Sequence, residues 1–260
     1  CFYHITSRGD DRKKIFISKP DYEKFLEYLL IAKSKYKFNL FAYCLMSNHY
    51  HLFIETLEPN LSKIMQYLNG SYTAYYNTKR QKTGHVFHGR FKSVMVDSDT
   101  YFLELTRYIH LNPVRAKMVD DPIDYPYSSY KGYLKPKSDK YLTHDELHTH
   151  VTMKPHSHEQ FVLAGVGKDI DPFKKVYAGF FLGNKDFVKG KLSKFKPEVE
   201  RGDFAHKRKL TQDVSIDDII EATSKSFNID KDTIIGKRNS QQDYRKLAIY
   251  IIRRLTAIGN

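Results

Sequence analysis

At 260 residues, with 41% hydrophobic and 14% aromatic side chains, the chain is long enough for a real core and for two domains of ordinary size. Its 43 Lys and Arg against 30 Asp and Glu leave a formal charge of +13, which calls for a polyanionic partner, nucleic acid first. An anionic membrane surface would require a basic amphipathic helix or a lipidation signal, no apolar stretch is long enough to span a bilayer, and the two cysteines (Cys1 and Cys44) make neither a disulfide framework nor a zinc spacing; a cytoplasmic, nucleoid-associated protein is expected.

Phe2 to Ser7 alternates apolar and polar residues as a half-buried strand does, and Arg8-Gly9-Asp10-Asp11 breaks it. Asp21 to Tyr36 carries apolar residues at helical spacing, with Pro20 where a helix start tolerates it. Phe38 to Met46 and His49 to Thr56 read as two strands joined through Ser47-Asn48. A helix follows over Leu61 to Tyr76, then a basic loop over Lys79 to Gly84. Phe91 to Val96 reads as a strand, and Asp99 to Leu111 as a helix stopped by Asn112-Pro113. The order strand, helix, hairpin, helix, strand, helix predicts an α+β domain: a ferredoxin-like antiparallel sheet with helices on one face. The domain is expected to fill residues 1–135, its boundary falling in the Tyr-, Pro-, Ser- and Lys-rich stretch Pro122 to Lys140. A helical or linker region follows over 136–210, and a last helical unit over 211–260, beginning near Ser215.

On a strand, residues two apart share a face at roughly 6.5–7 Å, so His49 and His51 can converge on one divalent ion while Tyr50 points the other way. Alone, a His-x-His is as well read as two partly exposed histidines, since two ligands do not make a site. Tyr108 and Asn112 lie four apart on the last helix and so share a face. A phenol ionises near pH 10 and is a poor nucleophile at neutral pH without help. An ion held by His49, His51 and Asn112 could polarise a phosphate that Tyr108 attacks. The bland alternative makes Tyr108 a packing residue and Asn112 a helix stop, but leaves the histidine pair unexplained. Tyr101, earlier on the helix, lacks the partner four residues on.

Five ordered stretches carry a resemblance. They are Tyr3 to Gly9, Ala42 to Leu52, Gly84 to Lys92, Arg107 to Arg115, and Tyr125 to Tyr130. Together they resemble the REP-associated tyrosine transposases, a branch of the HUH single-tyrosine transposase superfamily. The resemblance implies that Tyr108 is the catalytic nucleophile, that His49 and His51 ligate the metal, and that Asn112 occupies the third-ligand position. It further implies cleavage and rejoining of single-stranded DNA through a 5′-phosphotyrosine, with Mg2+ or Mn2+ as cofactor. The expected partner is single-stranded DNA carrying a hairpin, bound by a monomer or homodimer.

Arg8, Arg90, Lys92 and Arg115 flank the motifs as candidate phosphate contacts, with solvated surface charge as the alternative. Tyr72, Tyr75 and Tyr76 could stack bases but read better as core. The late histidines (His144, His148, His150, His156 and His158) lack the context of a zinc site. The segment from Ile219 to Thr256 resembles the opening of the helical DNA-binding domain of replication initiators of the DnaA type, with Lys237, Arg238 and Arg245 as backbone contacts. Three other function classes compete. A domesticated, non-cleaving DNA-binding protein of the same fold would keep the basic surface. An RNA-binding sheet would expose paired aromatics where His49 and His51 stand. A hydrolase using water would not need Tyr108.

Overall fold

Residues 1–135, 138–176 and 180–192 are described by the structure, a computed structural model. The chain divides into two compact units. The first comprises Cys1–Val176 with Phe180–Val188; the second, Tyr177–Gly179 with Lys189–Asn260, lies almost wholly outside the described residues. The first unit therefore runs well past residue 135.

Its frame is β1 (Phe2–Arg8), α1 (Lys19–Tyr36), β2 (Phe38–Met46), β3 (His49–Thr56), α2 (Leu61–Arg80) and β4 (Lys92–Val96). The strands lie in the order β2-β3-β1-β4-β5, where β5 is the short segment Phe181–Leu182. The first four pair antiparallel in the order of a split βαβ unit, as the sequence predicts. β5 pairs parallel to β4, so the sheet is mixed rather than purely antiparallel. Reaching a parallel position takes a long crossover, and the helical stretch between β4 and β5 supplies it.

α1 starts where expected because the Asp21 carboxylate accepts the N–H groups of Ile17 and Ser18, at 2.9 and 2.8 Å. α2 runs through Arg80, into the segment read as a basic loop, and stops where Gln81 turns left-handed (φ 50°). Phe25, Leu29, Ile64, Leu68 and Tyr72 of these two helices bury against Ile5, Leu45, Tyr50, Leu52 and Ile54. The opposite face is covered too. α3 (Ser98–His110) sets Phe102, Leu105 and Ile109 against Phe41, Phe53 and Val96, with Leu147 of α6 (His144–His150) beside them. The helices thus lie on both faces, not one. The reason is visible in β2, buried at every position: an apolar run without alternation belongs to a strand covered twice.

Within the stretch expected to be a boundary, Tyr125 to Tyr133 close the β2 edge. Tyr127 O accepts from Leu45 N at 2.9 Å, and Ser129 N donates to Tyr43 O at 3.0 Å. The hydroxyls of Tyr125 and Tyr133 donate to Leu45 O and Phe41 O at 2.6 and 2.8 Å. An open edge is a template for unwanted pairing, and these bonds occupy it. α4 (Asn112–Arg115) continues from α3. α5 (Tyr130–Leu134) and α7 (Pro155–Leu163) pack together through Tyr130 and Val162, and α8 (Lys185–Leu192) follows β5. Among the described residues, no helix is long and apolar enough to cross a membrane.

Candidate active site

β3 leaves the two-residue turn with His49 and His51 on one face and Tyr50 on the other, as strand alternation requires. Tyr50 is fully buried in the α1–α2 core, its hydroxyl 2.6 Å from Asn69 Oδ1. The two imidazoles lie 5.0 Å apart at 76°. Pairing sets Arg8 opposite His49 and Thr6 opposite His51, with Lys92 opposite Thr6 on the far side.

Both histidines have Nδ1 engaged. His49 Nδ1 is 2.6 Å from Asn48 Oδ1, and His51 Nδ1 is 3.0 Å from His4 Nε2. His51 Nε2 is buried without a hydrogen-bond partner among the described residues. Burial holds all three rings toward the neutral form: His4 is pushed down to about 3, His49 is lowered, and His51, near His4, His49 and Arg115, is lowered further below the usual imidazole range. A neutral ring with an unshared Nε2 pair is the form that ligates a metal.

α3 crosses this face and brings Tyr108 in. Its ring lies 5.9 Å from His51 and 6.3 Å from His4. Phe173, on the 3-10 turn Pro172–Lys175, packs 5.1 Å from Tyr108 and 4.5 Å from His4. The Arg115 guanidinium stands over the Tyr108 ring at 4.6 Å and donates to Ile170 O. Burial pushes the Tyr108 phenol up and the Asp171 carboxylate adds to this, while Arg115 pulls it down. Asn112 Nδ2 donates to Tyr108 O at 2.9 Å, which leaves Oδ1 as its ligating end. Among the described residues, no hydrogen bond or ring contact joins Asn112 to either histidine, and no group of three His, Cys, Asp or Glu side chains is set to hold an ion. The ligands on offer are two imidazoles and an amide oxygen.

Of the expected phosphate contacts, Arg8, Arg90 and Lys92 are exposed, Arg8 standing opposite His49 and Lys92 opposite Thr6 in the strand register. The loop carrying Arg90 is tied to the end of β1: Gly9 bridges to Phe87, Asp10 N donates to Val86 O at 3.0 Å, and His88 N to Arg8 O at 2.9 Å. Arg115 is turned onto Tyr108. Lys237, Arg238 and Arg245 lie outside the described residues. Tyr72 and Tyr76 are core, Tyr72 donating to Ile15 O at 2.5 Å. The late histidines go separate ways: His150 stacks on Phe102 at 4.5 Å, and His158 is buried beside Tyr133.

Sequence reasoning passed over four residues at the site. His4 carried a signal, since it shares the alternation of Thr6 and so the face of His51, but the signal needs the β1–β3 register to be seen. Asn48 read only as a turn residue. Asp171 and Phe173 had none, because nothing local announces that a distant loop returns to the sheet.

Comparison with known proteins bears on the same region. Residues 1–112 match the model of the family described as IS200-like transposases. A Haemophilus influenzae protein named as a REP-associated tyrosine transposase is 27% identical over 145 residues, covering 51% of this chain and 81% of its own length. Among solved structures, a REP-associated tyrosine transposase bound to a REP hairpin aligns with a TM-score of 0.46 at 15% identity, over 54% of this chain and 82% of its own. A Deinococcus radiodurans protein described as a transposase aligns with a TM-score of 0.33 at 15% identity, over 42% and 88%. Both structural likenesses are partial, and the fold stands on its own strand order.

Proposed function

We propose that this chain, an IS200-like transposase over its first 112 residues, breaks and rejoins single-stranded DNA through a covalent bond between the DNA and Tyr108. The observation that supports this reading is the sharing of one sheet face by the β3 histidines and the α3 tyrosine, with His51 and Tyr108 5.9 Å apart.

His49 and His51 through Nε2, and Asn112 through Oδ1, would hold Mg2+ or Mn2+. The unpartnered, buried Nε2 of His51 fits that role. When bound, such an ion supplies polarisation of the scissile phosphate and stabilisation of charge on its oxygens. Tyr108 supplies the nucleophile: its Oη forms the bond to phosphorus and releases its proton to solvent. The P–O3′ bond breaks, its electron pair leaves on the 3′ oxygen, and that oxygen takes up a proton. The products are a 5′-phosphotyrosine and a free 3′-hydroxyl, and attack by another 3′-hydroxyl reverses the step without external energy. Arg115, above the ring, favours the phenolate that attacks. Arg8, Arg90 and Lys92 would hold the DNA backbone. Residues 211–260 would add backbone contacts through Lys237, Arg238 and Arg245. The substrate would be a strand bearing a hairpin, bound by a monomer or homodimer.

One observation favours a second reading, a non-cleaving binder of the same DNA: Phe173 packs against the proposed nucleophile. Denaturing electrophoresis with labelled single-stranded hairpin DNA and Mn2+ separates the two. The transposase reading expects a denaturation-resistant protein–DNA band from wild type, lost in Tyr108→Phe and in EDTA. Cleavage that survives Tyr108→Phe would make water the attacker. Tight binding without cleavage across a panel of hairpins would leave the binder.

A further inference from the structure

We propose that His4 is a positioning residue for the metal site, acting through His51; the inference rests on the reading of His49 and His51 as ligands. A neutral imidazole carries one N–H. On His51, only Nδ1 has a partner, and that partner is the Nε2 of His4 at 3.0 Å. Two arrangements of the protons satisfy this bond. If His4 donates, the His51 proton sits on Nε2, buried where no acceptor reaches it, and the nitrogen that faces the site cannot ligate. If His4 accepts, His51 carries its proton on Nδ1 and presents an unshared pair on Nε2. Only the second arrangement serves an ion, and it requires His4 to keep its own proton on Nδ1.

The surroundings fix His4 in this role. Thr6, not His4, stands opposite His51 in the β1–β3 register, so His4 reaches its partner along the diagonal between strands. The rings lie edge to edge, their centroids 5.2 Å apart and their planes at 23°, and both residues are buried, His4 at 4% and His51 at 6% exposure. Phe173 packs against the His4 ring at 4.5 Å. Asn48 gives the same service to His49: its Oδ1 meets Nδ1 at 2.6 Å, and its Nδ2 is anchored on Arg12 O at 3.3 Å. Partners of this kind orient the ring, select its tautomer and raise its basicity as a ligand.

The test compares wild type with His4→Phe, which keeps an aromatic ring of similar bulk but no acceptor, and His4→Gln, which restores one. Two quantities are read without DNA: Mn2+ affinity by calorimetry, and the protonated ring nitrogen of His51 by 15N NMR of histidine-labelled protein. The expected result is one Mn2+ per wild-type chain and Nδ1–H on His51. His4→Phe should bind Mn2+ roughly 10- to 100-fold more weakly, and His4→Gln should recover most of the loss. Wild-type affinity in a folded His4→Phe overturns the inference and leaves the metal reading intact. A wild-type His51 protonated on Nε2 overturns it even if His4→Phe does not fold. Failure of wild type to bind Mn2+ at all overturns both readings together.

Discussion

Replacing Asp21 by Asn probes the joint that holds α1 to α2 beneath the site. The Asp21 side chain is 0% exposed and accepts from Lys79 Nζ at 2.9 Å and Arg80 at 2.5 Å, besides two backbone N–H groups. Asn keeps the volume but removes the charge, and its amide nitrogen would face donors. Arg80 (14% exposed) would keep its place over the Tyr76 ring at 4.1 Å yet lose its counter-charge. Removing one partner of a buried ion pair costs about 3–5 kcal/mol. Lys79, at 34% exposure, can turn to water. The lower end, about 3 kcal/mol, therefore applies. With a urea slope of about 2 kcal/mol per molar, the unfolding midpoint should fall by about 1.5 M. Acid gives a second reading. Burial alone would push the Asp21 carboxyl up, but the bonds from Lys79, Arg80, Ile17 and Ser18 outweigh it and hold the carboxyl well below the usual range. The unfolded chain therefore binds this proton more readily. The stabilisation is full above the unfolded value, near about 4, and is lost as pH falls toward the lower native value. Urea titrations followed by circular dichroism should show a wide gap between the two proteins at neutral pH that narrows in acid. A midpoint shift under about 0.3 M, or a gap that acid does not narrow, would refute the reasoning.

Arg115→Gln removes the cation above Tyr108, so the phenol should ionise at higher pH and the alkaline limb of the cleavage–pH profile should move up. The guanidinium stands 4.6 Å from the ring centroid, and a unit charge within about 5 Å of the phenolate is worth about 1 kcal/mol at the dielectric of water, so the neutral-pH rate should drop roughly fivefold, and a profile of unchanged position would count against the arrangement. A Cβ added at Gly9 would sit 2.1 Å from Lys13 O and 2.9 Å from Ile15 Cγ2. Gly9→Ala should therefore cost about 1–3 kcal/mol in calorimetry. It should also weaken Mn2+ binding, because Gly9 N holds Asn48 O at 2.7 Å. Burial pushes the Cys44 thiol up, so in the native protein a thiol reagent should label exposed Cys1 and spare Cys44 until denaturant is added.

Much of this molecule is legible in the one-dimensional pattern. The strand at Phe2 to Ser7 and the helical spacing in α1 and α3 report local geometry, which neighbouring residues settle among themselves, although β1 is not half-buried as its alternation suggests: His4 and Ile5, on opposite faces, are both buried. The same locality sets His49 and His51 to one side of β3, whereas Tyr108 and Asn112, expected on one helix, fall on α3 and at the start of α4, with Asn112 Nδ2 reaching back to Tyr108 O. What lies across the chain is another matter. The unalternating run of β2 says that the strand is covered twice, yet not by what; α3 and the Tyr125–Tyr133 stretch answer that only in three dimensions. His4 meets His51 from 47 residues away, through a register that two strands fix jointly. Phe173 reaches Tyr108 on a loop whose own sequence gives no reason to return. Periodicity records which face a residue turns inward, because that choice is made within a few peptide units. The partner it finds there is chosen by closing long loops against a shared core, a cost and a gain that belong to the whole chain.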